Sequence, residues 1–234
     1  IKEHGYSRHL YEFKDEYANM PVDVQKDEEK GLYYVQKEKK RLYFRKSTPA
    51  KKIQKYYRAL SMEQDRRSPH HYFNSVKEVT GKVFVDVGCA EGYSSLEIIE
   101  EAKHVYLFEQ DEQWLEAIRA TFEPWQDKVT IVQKYVSDHN SSREQTLDDF
   151  FNNQTNEHLF LKMDIEGAER HALAGCNNLF QNCQKLDFAI CTYHLRDDEE
   201  VISAFLDKHN CTYINQKGFF RHKIRSVVMR GSKK

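Results

Sequence analysis

The feature that most constrains this chain is the run Val83-Phe84-Val85-Asp86-Val87, which stops at Gly88 and is followed by a second glycine at Gly92. A short, almost continuously apolar run ending in glycine reads as a buried parallel strand; a half-exposed strand would alternate apolar and polar residues. The glycines allow a tight turn into a helix expected from about Tyr93 to Ala102, with backbone free to pass close to a ligand. The unit then recurs. His104–Phe108, Val129–Val132, His158–Met163 and Leu186–Cys191 are further strand candidates. The segments between them read as helices over Glu112–Thr121, Glu166–Leu179 and Asp198–Lys208, with a short capped helix at Thr146–Phe150. Cys211–Ile214 and Ser226–Met229 complete the series, with Gly218 expected in the turn region between them.

Alternating strands and helices followed by a terminal hairpin predict an α/β fold. The expected form is a Rossmann-like, doubly wound, mostly parallel seven-stranded sheet with a C-terminal antiparallel hairpin. This domain is assigned to residues 76–234. Residues 1–75 read as a smaller basic, aromatic-rich accessory segment. Within it, Leu32–Gln36 and Arg41–Arg45 suggest a hairpin whose tip lacks the usual Gly or Asn. A helix follows, with Ser47 or Thr48 as cap, Pro49 in the first turn, and Ile53, Tyr56, Tyr57 and Leu60 on one face.

Net charge is only −1, but its distribution is uneven. Residues 1–80 hold 18 Lys/Arg and 12 Asp/Glu, whereas the whole chain holds 36 and 37, so the front is basic and the body acidic. No apolar run approaches the roughly 20 residues needed to cross a bilayer. The 5 cysteines are widely spaced, with no C-x-x-C pair, which argues against a disulfide scaffold or zinc ribbon. Reduced thiols and the absence of a visible secretory signal lead us to expect a cytoplasmic protein.

The loop Asp86-x-Gly88-x-x-x-Gly92 lacks the G-x-G-x-x-G spacing that makes room for a pyrophosphate. A carboxylate at Asp86 would repel phosphates and suits a cationic ligand, such as one bearing an ammonium and a sulfonium. Glu109 ends the second strand, where an acid commonly accepts hydrogen bonds from ribose hydroxyls. Lys162 and Asp164, two apart, face one side of the fourth strand. Asp164 and Glu166 stand where that strand gives way to helix, and His194 follows the fifth strand at the same carboxyl edge.

The segment Lys162-Met163-Asp164-Ile165-Glu166-Gly167-Ala168-Glu169, with Thr146-Leu147-Asp148 and Val136-Ser137-Asp138, resembles the signatures of the FkbM branch of class I methyltransferases. The resemblance runs from about Val79 to Leu206. It implies S-adenosyl-L-methionine as cofactor, held by Asp86, Gly88, Gly92 and Glu109 with Cys89, Ala90 and Gln110 alongside, and Ser137 and Asp138 near the adenine. The implied reaction is O-methylation of a hydroxyl on a sugar, glycan or secondary metabolite.

His194 is the expected general base, since imidazole titrates near neutrality; Asp164, Lys162 and Glu166 are the other candidate catalytic residues. The rival schemes use Asp164 as base, or a divalent metal held by Asp164 with His194 or Glu166. Purely structural roles for Asp164, Glu166 and Glu169 are the alternative to all of these. One departure from the family pattern stands at Thr192, where a Glu is more usual two residues before this His. Lys37–Arg58 carries ten Lys/Arg among aromatics, so a nucleic-acid-binding or RNA-methylating protein is the competing reading. Against nucleobase N-methylation, no Asn/Asp-Pro-Pro-aromatic loop follows strand four. A homo-oligomer is compatible with the sequence, which leaves His70 and His71 without an assigned role.

Overall fold

A computed structural model describes residues 11–152, 157–220 and 223–233; the first ten residues of the accessory segment lie outside that range. The front of the chain forms α1 (Lys14–Ala18), β1 (Val24–Asp27), β2 (Leu32–Lys37), β3 (Lys40–Tyr43) and α2 (Ala50–Glu63). Strand–helix units follow: β4 (Val83–Val87), α3 (Tyr93–Ile98), β5 (His104–Phe108), α4 (Glu112–Phe122) and β6 (Val129–Val132). A small parallel pair, β7 (Tyr135–Val136) and β8 (Glu144–Gln145), precedes α5 (Leu147–Phe150). The remainder is β9 (His158–Met163), α6 (Glu169–Ala174), α7 (Asn177–Asn182), β10 (Lys185–Cys191), α8 (Asp198–Lys208), β11 (Thr212–Phe220) and β12 (Lys223–Lys233).

Seven strands form one sheet in the order β11-β12-β10-β9-β4-β5-β6, with β12 antiparallel to both its neighbours and the rest parallel. This is the Rossmann-like arrangement expected from the sequence. Alternation along the buried strands divides the core in two. Val83, Val85 and Val87 pack with Leu159, Leu161 and Met163 against the helices α5 to α8. Phe84 and Phe160 point the other way, into a cluster that also contains Leu32, Val35, Leu42, Phe44, Ile53 and Phe73 from the front segment. Asp86 and Lys162 continue that second face, so the front of the chain is packed on the side where they point.

Several local expectations change. The front hairpin is part of a three-stranded antiparallel sheet, because β1 adds its backbone to β2. Its tip turns at Glu38, which adopts φ 57° in place of the missing glycine. Neither Ser47 nor Thr48 caps α2; Pro49 occupies the cap position without a side-chain bond. The helix expected over Glu166–Leu179 is two, since Glu166 and Gly167 have left-handed backbones and the chain breaks again at Gly175. Gly218 is not in the turn. It lies within β11 paired with Arg225, where a Cβ would strike Pro69 at 2.2 Å. Thr146 does cap α5, its hydroxyl accepting from the Asp149 N–H.

Candidate active site

Between the carboxyl ends of β4, β5, β9 and β10 lies a cavity of about 1140 Å³, at the sheet edge where ligands bind in open α/β folds. Its first wall is the loop after β4. Gly88 (φ 77°) is required there because a Cβ would meet the Asp164 carbonyl oxygen at 2.2 Å. The close neighbour is the backbone just after β9, so this glycine brings the two loops together and its need is set before any ligand arrives. Gly92 (φ 80°) sits at the N-cap of α3, as the tight start of that helix requires. Between them Ala90 holds φ 46°, a conformation an L-residue adopts at a cost. The Glu109 carboxylate pins it, accepting the Ala90 N–H at 3.0 Å and the Asp111 N–H at 2.8 Å.

Asp86 is in the loop wall but its charge is already answered. Register places it directly opposite Lys162, and the ammonium lies 2.8 Å from its carboxylate, with the Ser95 hydroxyl donating at 2.6 Å. Lys162 also donates to the Gly88 carbonyl at 2.7 Å. Burial pulls this ammonium down, but Asp86 and then Asp164 outweigh it, so its pKa rises. Lys162, a catalytic candidate in the sequence, is therefore placed as the tie between β4 and β9.

The far side of the cavity carries Asp164, Glu166 and His194. The His194 side chain is 8% exposed, with Nε2 3.4 Å from Asp164 Oδ1 and 3.7 Å from Glu166 Oε2. Neither His194 Nε2 nor Asp164 Oδ1 makes a hydrogen bond, although both atoms are buried. Glu166 itself reaches solvent, 92% exposed. Behind the imidazole, Nδ1 lies 2.8 Å from Glu169, which is fully buried and accepts the Ile165 and Gly167 N–H groups at 2.9 and 3.0 Å. With two donors already on Glu169, Nδ1 must donate as well, leaving the Nε2 lone pair toward the cavity. Burial lowers the imidazolium pKa, but Glu169, Asp164 and Glu166 together outweigh it and hold His194 above the ordinary histidine value. Thr192, where the family more often has Glu, is buried and bonded to Ser226.

At the third wall, Ser137 is nearly buried and Asp138 is half-exposed, both lining the cavity with Phe108 and Gln110. Hydrogen bonds from His139 and His171 hold the Asp138 carboxyl below its usual range. The structure thus brings the sequence-named cofactor and catalytic residues together around one cavity, Cys89 and Ala90 included. The exception is Gly92, which does not line it and sits at the N-cap of α3 against Phe122.

Four residues with no role in the sequence reading also belong here. The Tyr72 hydroxyl donates to Asp164 Oδ2 at 2.6 Å, and Tyr193 stacks at a tilt on His194 at 4.2 Å. Tyr56 donates to Glu91 at 2.8 Å. The periodic helix face containing Tyr56 was a signal for this; Tyr72 gave none. His70 packs edge-on against Tyr193, whereas His71 is tied to Ser68, Asn74 and Arg230 away from the cavity. Among described residues Asp164, Glu169 and His194 bring one ligand atom each within 4.8 Å of one another. Glu169, however, is already engaged by two backbone donors and the imidazole, which fits an orienting carboxylate better than a metal ligand.

Five of the ten basic residues of Lys37–Arg58 are engaged internally. Lys37 and Arg45 pair with Glu97 and Asp111, Arg41 with Asp27, and Lys40 and Arg58 donate to the carbonyls of Leu96 and Met20. Lys37, Arg41 and Arg45 each lie over a ring, of Tyr93, Tyr34 and Trp114.

The chain's fold is similar to that of a methyltransferase FkbM from Methylobacillus flagellatus KT, at 16% identity and TM-score 0.53, covering 79% of this chain and 55% of that one. This chain therefore spans little more than half the length of that protein. It is also similar to a magnesium protoporphyrin IX methyltransferase from Synechocystis PCC 6803, at 13% identity and TM-score 0.51, covering 80% of this chain and 86% of that one. No curated protein sequence matches the chain. The methyltransferase FkbM domain family matches residues 86–214, more than half of the 234 residues and spanning the site from Asp86 through His194. The chain belongs to the FkbM methyltransferase domain family.

Proposed function

We propose that this protein is an S-adenosylmethionine-dependent O-methyltransferase acting on a hydroxyl of a sugar, glycan or secondary metabolite. The observation that carries this reading is the His194 imidazole. It is anchored at Nδ1 by a buried carboxylate and presents Nε2 to the same cavity as the cofactor loop.

The residues fit the cofactor by their chemistry: Glu109 and Gln110 at the end of β5 suit ribose hydroxyls, and Ser137, Asp138 and Phe108 suit an adenine ring. When bound, the sulfonium supplies an already activated methyl group. The protein is then left with positioning, exclusion of water and one proton. His194 takes the acceptor's proton at Nε2, and Glu169 steadies the imidazolium that results. Asp164, held by the Tyr72 hydroxyl, faces that same nitrogen and stabilises its charge. Residues 76–234 act as the catalytic domain, and residues 1–75 help close the acceptor mouth through Tyr56, Leu60 and Tyr72, which line the cavity. Five free thiols suit a cytoplasmic setting.

The test is calorimetric titration with S-adenosylhomocysteine, followed by transfer of labelled methyl from S-adenosylmethionine to a panel of glycans and polyhydroxylated metabolites, with RNA as a separate arm. Nucleoside binding with label on a hydroxyl supports the reading. Label incorporated only into RNA would overturn it.

A further inference from the structure

The end of β4 and the loop after it carry two buried carboxylates, and only one has a counter-ion. Asp86 faces Lys162. Glu91, five residues on, is 3% exposed and lines the cavity, and the Tyr56 hydroxyl donates to it at 2.8 Å. Among the described residues it forms no ion pair. A glutamate in a short loop ordinarily reaches water. A carboxylate buried without a cation is costly unless a ligand brings one.

We infer that Glu91 is the subsite for the α-ammonium of an S-adenosyl ligand's amino-acid part, a contact made by this side chain in addition to the loop backbone. The inference rests on the cofactor proposed above. The groups facing Glu91 from each packed element agree with it. Tyr56 comes from α2 and Tyr93 from the start of α3, and burial raises both phenols, keeping them neutral. The Cys89 thiol is likewise pushed up by burial. Asp86 repels Glu91, and Lys162 attracts it while lying against Asp86. Burial pushes the Glu91 carboxyl up to about 7, with the Tyr56 hydroxyl opposing that rise. An arriving ammonium favours the ionised carboxylate, so binding near neutrality releases a proton to solvent.

The experiment compares S-adenosylhomocysteine with 5′-methylthioadenosine, which keeps the adenosyl thioether and lacks the amino-acid part. Both are titrated calorimetrically into the full chain, as wild type, Glu91→Gln and Tyr56→Phe, in buffers of different ionisation heat. Glu91→Gln is expected to weaken S-adenosylhomocysteine by about tenfold or more, the size of a charge-assisted hydrogen bond, and to leave methylthioadenosine within about twofold. Wild type should release protons on binding S-adenosylhomocysteine near neutral pH, and Glu91→Gln should not. Tyr56→Phe retains the charge, so binding should persist with its pH midpoint moved upward.

Equal weakening of both ligands, or unchanged S-adenosylhomocysteine affinity in Glu91→Gln, would overturn the assignment. Methylthioadenosine binding by the variant shows that its pocket is folded. If wild type binds neither nucleoside, the cofactor reading fails and this inference with it; if wild type binds both and the variant does not discriminate, this inference alone fails.

Discussion

The loop after β4 and the edge formed by β9 and β10 face each other across one cavity, yet they treat their polar groups in opposite ways. On the loop side, Asp86 at the end of β4 accepts from Ser95 and has the Lys162 ammonium 2.8 Å from its Oδ1. That atom makes no hydrogen bond but faces a full positive charge, and Glu109 after β5 holds two backbone N–H groups. Across the cavity, His194 Nε2 and Asp164 Oδ1 stand 3.4 Å apart, each without a hydrogen bond. Buried polar atoms are normally satisfied, and those left unsatisfied mark strain or chemistry. One wall is built as a rigid cradle, and the other keeps a nitrogen available for a proton.

If that division is right, substitutions on the two walls should fail differently. The largest effect is expected from Asp86→Ala, which strands the buried Lys162 ammonium. Loss of one partner of a buried ion pair costs about 3–5 kcal/mol, so denaturant unfolding should show a loss of that order. A loss near zero would mean that the β4–β9 tie is not what supports the cradle. His194→Ala should do the reverse. S-adenosylhomocysteine affinity and unfolding midpoint should stay close to wild type, while turnover of an identified acceptor falls by roughly 10²- to 10⁴-fold. Normal turnover in that variant would remove His194 as the base.

How much of this contrast was visible beforehand follows from where each interaction lives in the chain. The limits of β4, β5 and β9 coincide with the sequence reading, because central strands of a parallel sheet are largely apolar, and those of the half-buried edge strand β6 coincide as well. The Thr146 cap was equally local. By contrast β1, Val-Gln-Lys-Asp, carries no apolar pattern and is recruited by backbone pairing with β2, with Gln25 and Asp27 accepting from the Tyr34 and Tyr43 hydroxyls. The C-terminal strands run far beyond their apolar centres for the same reason. In the site, Lys162 and Asp164 were correctly placed on one side of their strand, but only the register shows that Asp86, not Asp164, takes the ammonium. Glu169 reaches His194 from 25 residues away, and Tyr72 reaches Asp164 from 92. Contacts of that separation depend on how helices and loops settle on the sheet, which no local spacing encodes.

A smaller effect concerns pH. The carboxylates around His194 hold its pKa above the ordinary value of 6.5, and only the neutral imidazole can accept a proton. Turnover should therefore fall as pH drops through a midpoint above that value. Glu169→Gln removes one of the raising charges and should move the midpoint down. An acid limb at the ordinary histidine value in both proteins would show that the carboxylate cage does not act on the base. For stability the sign is opposite. A histidine with a raised folded-state pKa stabilises the fold fully below its unfolded pKa, and that contribution is lost as pH rises through the folded value.

The smallest effect, and the one that most sharply separates the walls, is Tyr72→Phe. The ring stays in the core while Asp164 loses the 2.6 Å hydrogen bond that fixes its Oδ2. A hydrogen bond to a carboxylate contributes about 1.5–3 kcal/mol, partly recovered where Asp164 reaches water. The side chain of Asp164 is 20% exposed, so the stability loss should sit at or below the low end of that range. Turnover should drop while nucleoside affinity holds, because phenylalanine keeps the ring that lies beneath the Lys162 ammonium and loses only the hydroxyl on Asp164. A matching fall in S-adenosylhomocysteine affinity would show instead that the front segment supports both walls at once, and the contrast between a holding wall and a reacting wall would dissolve.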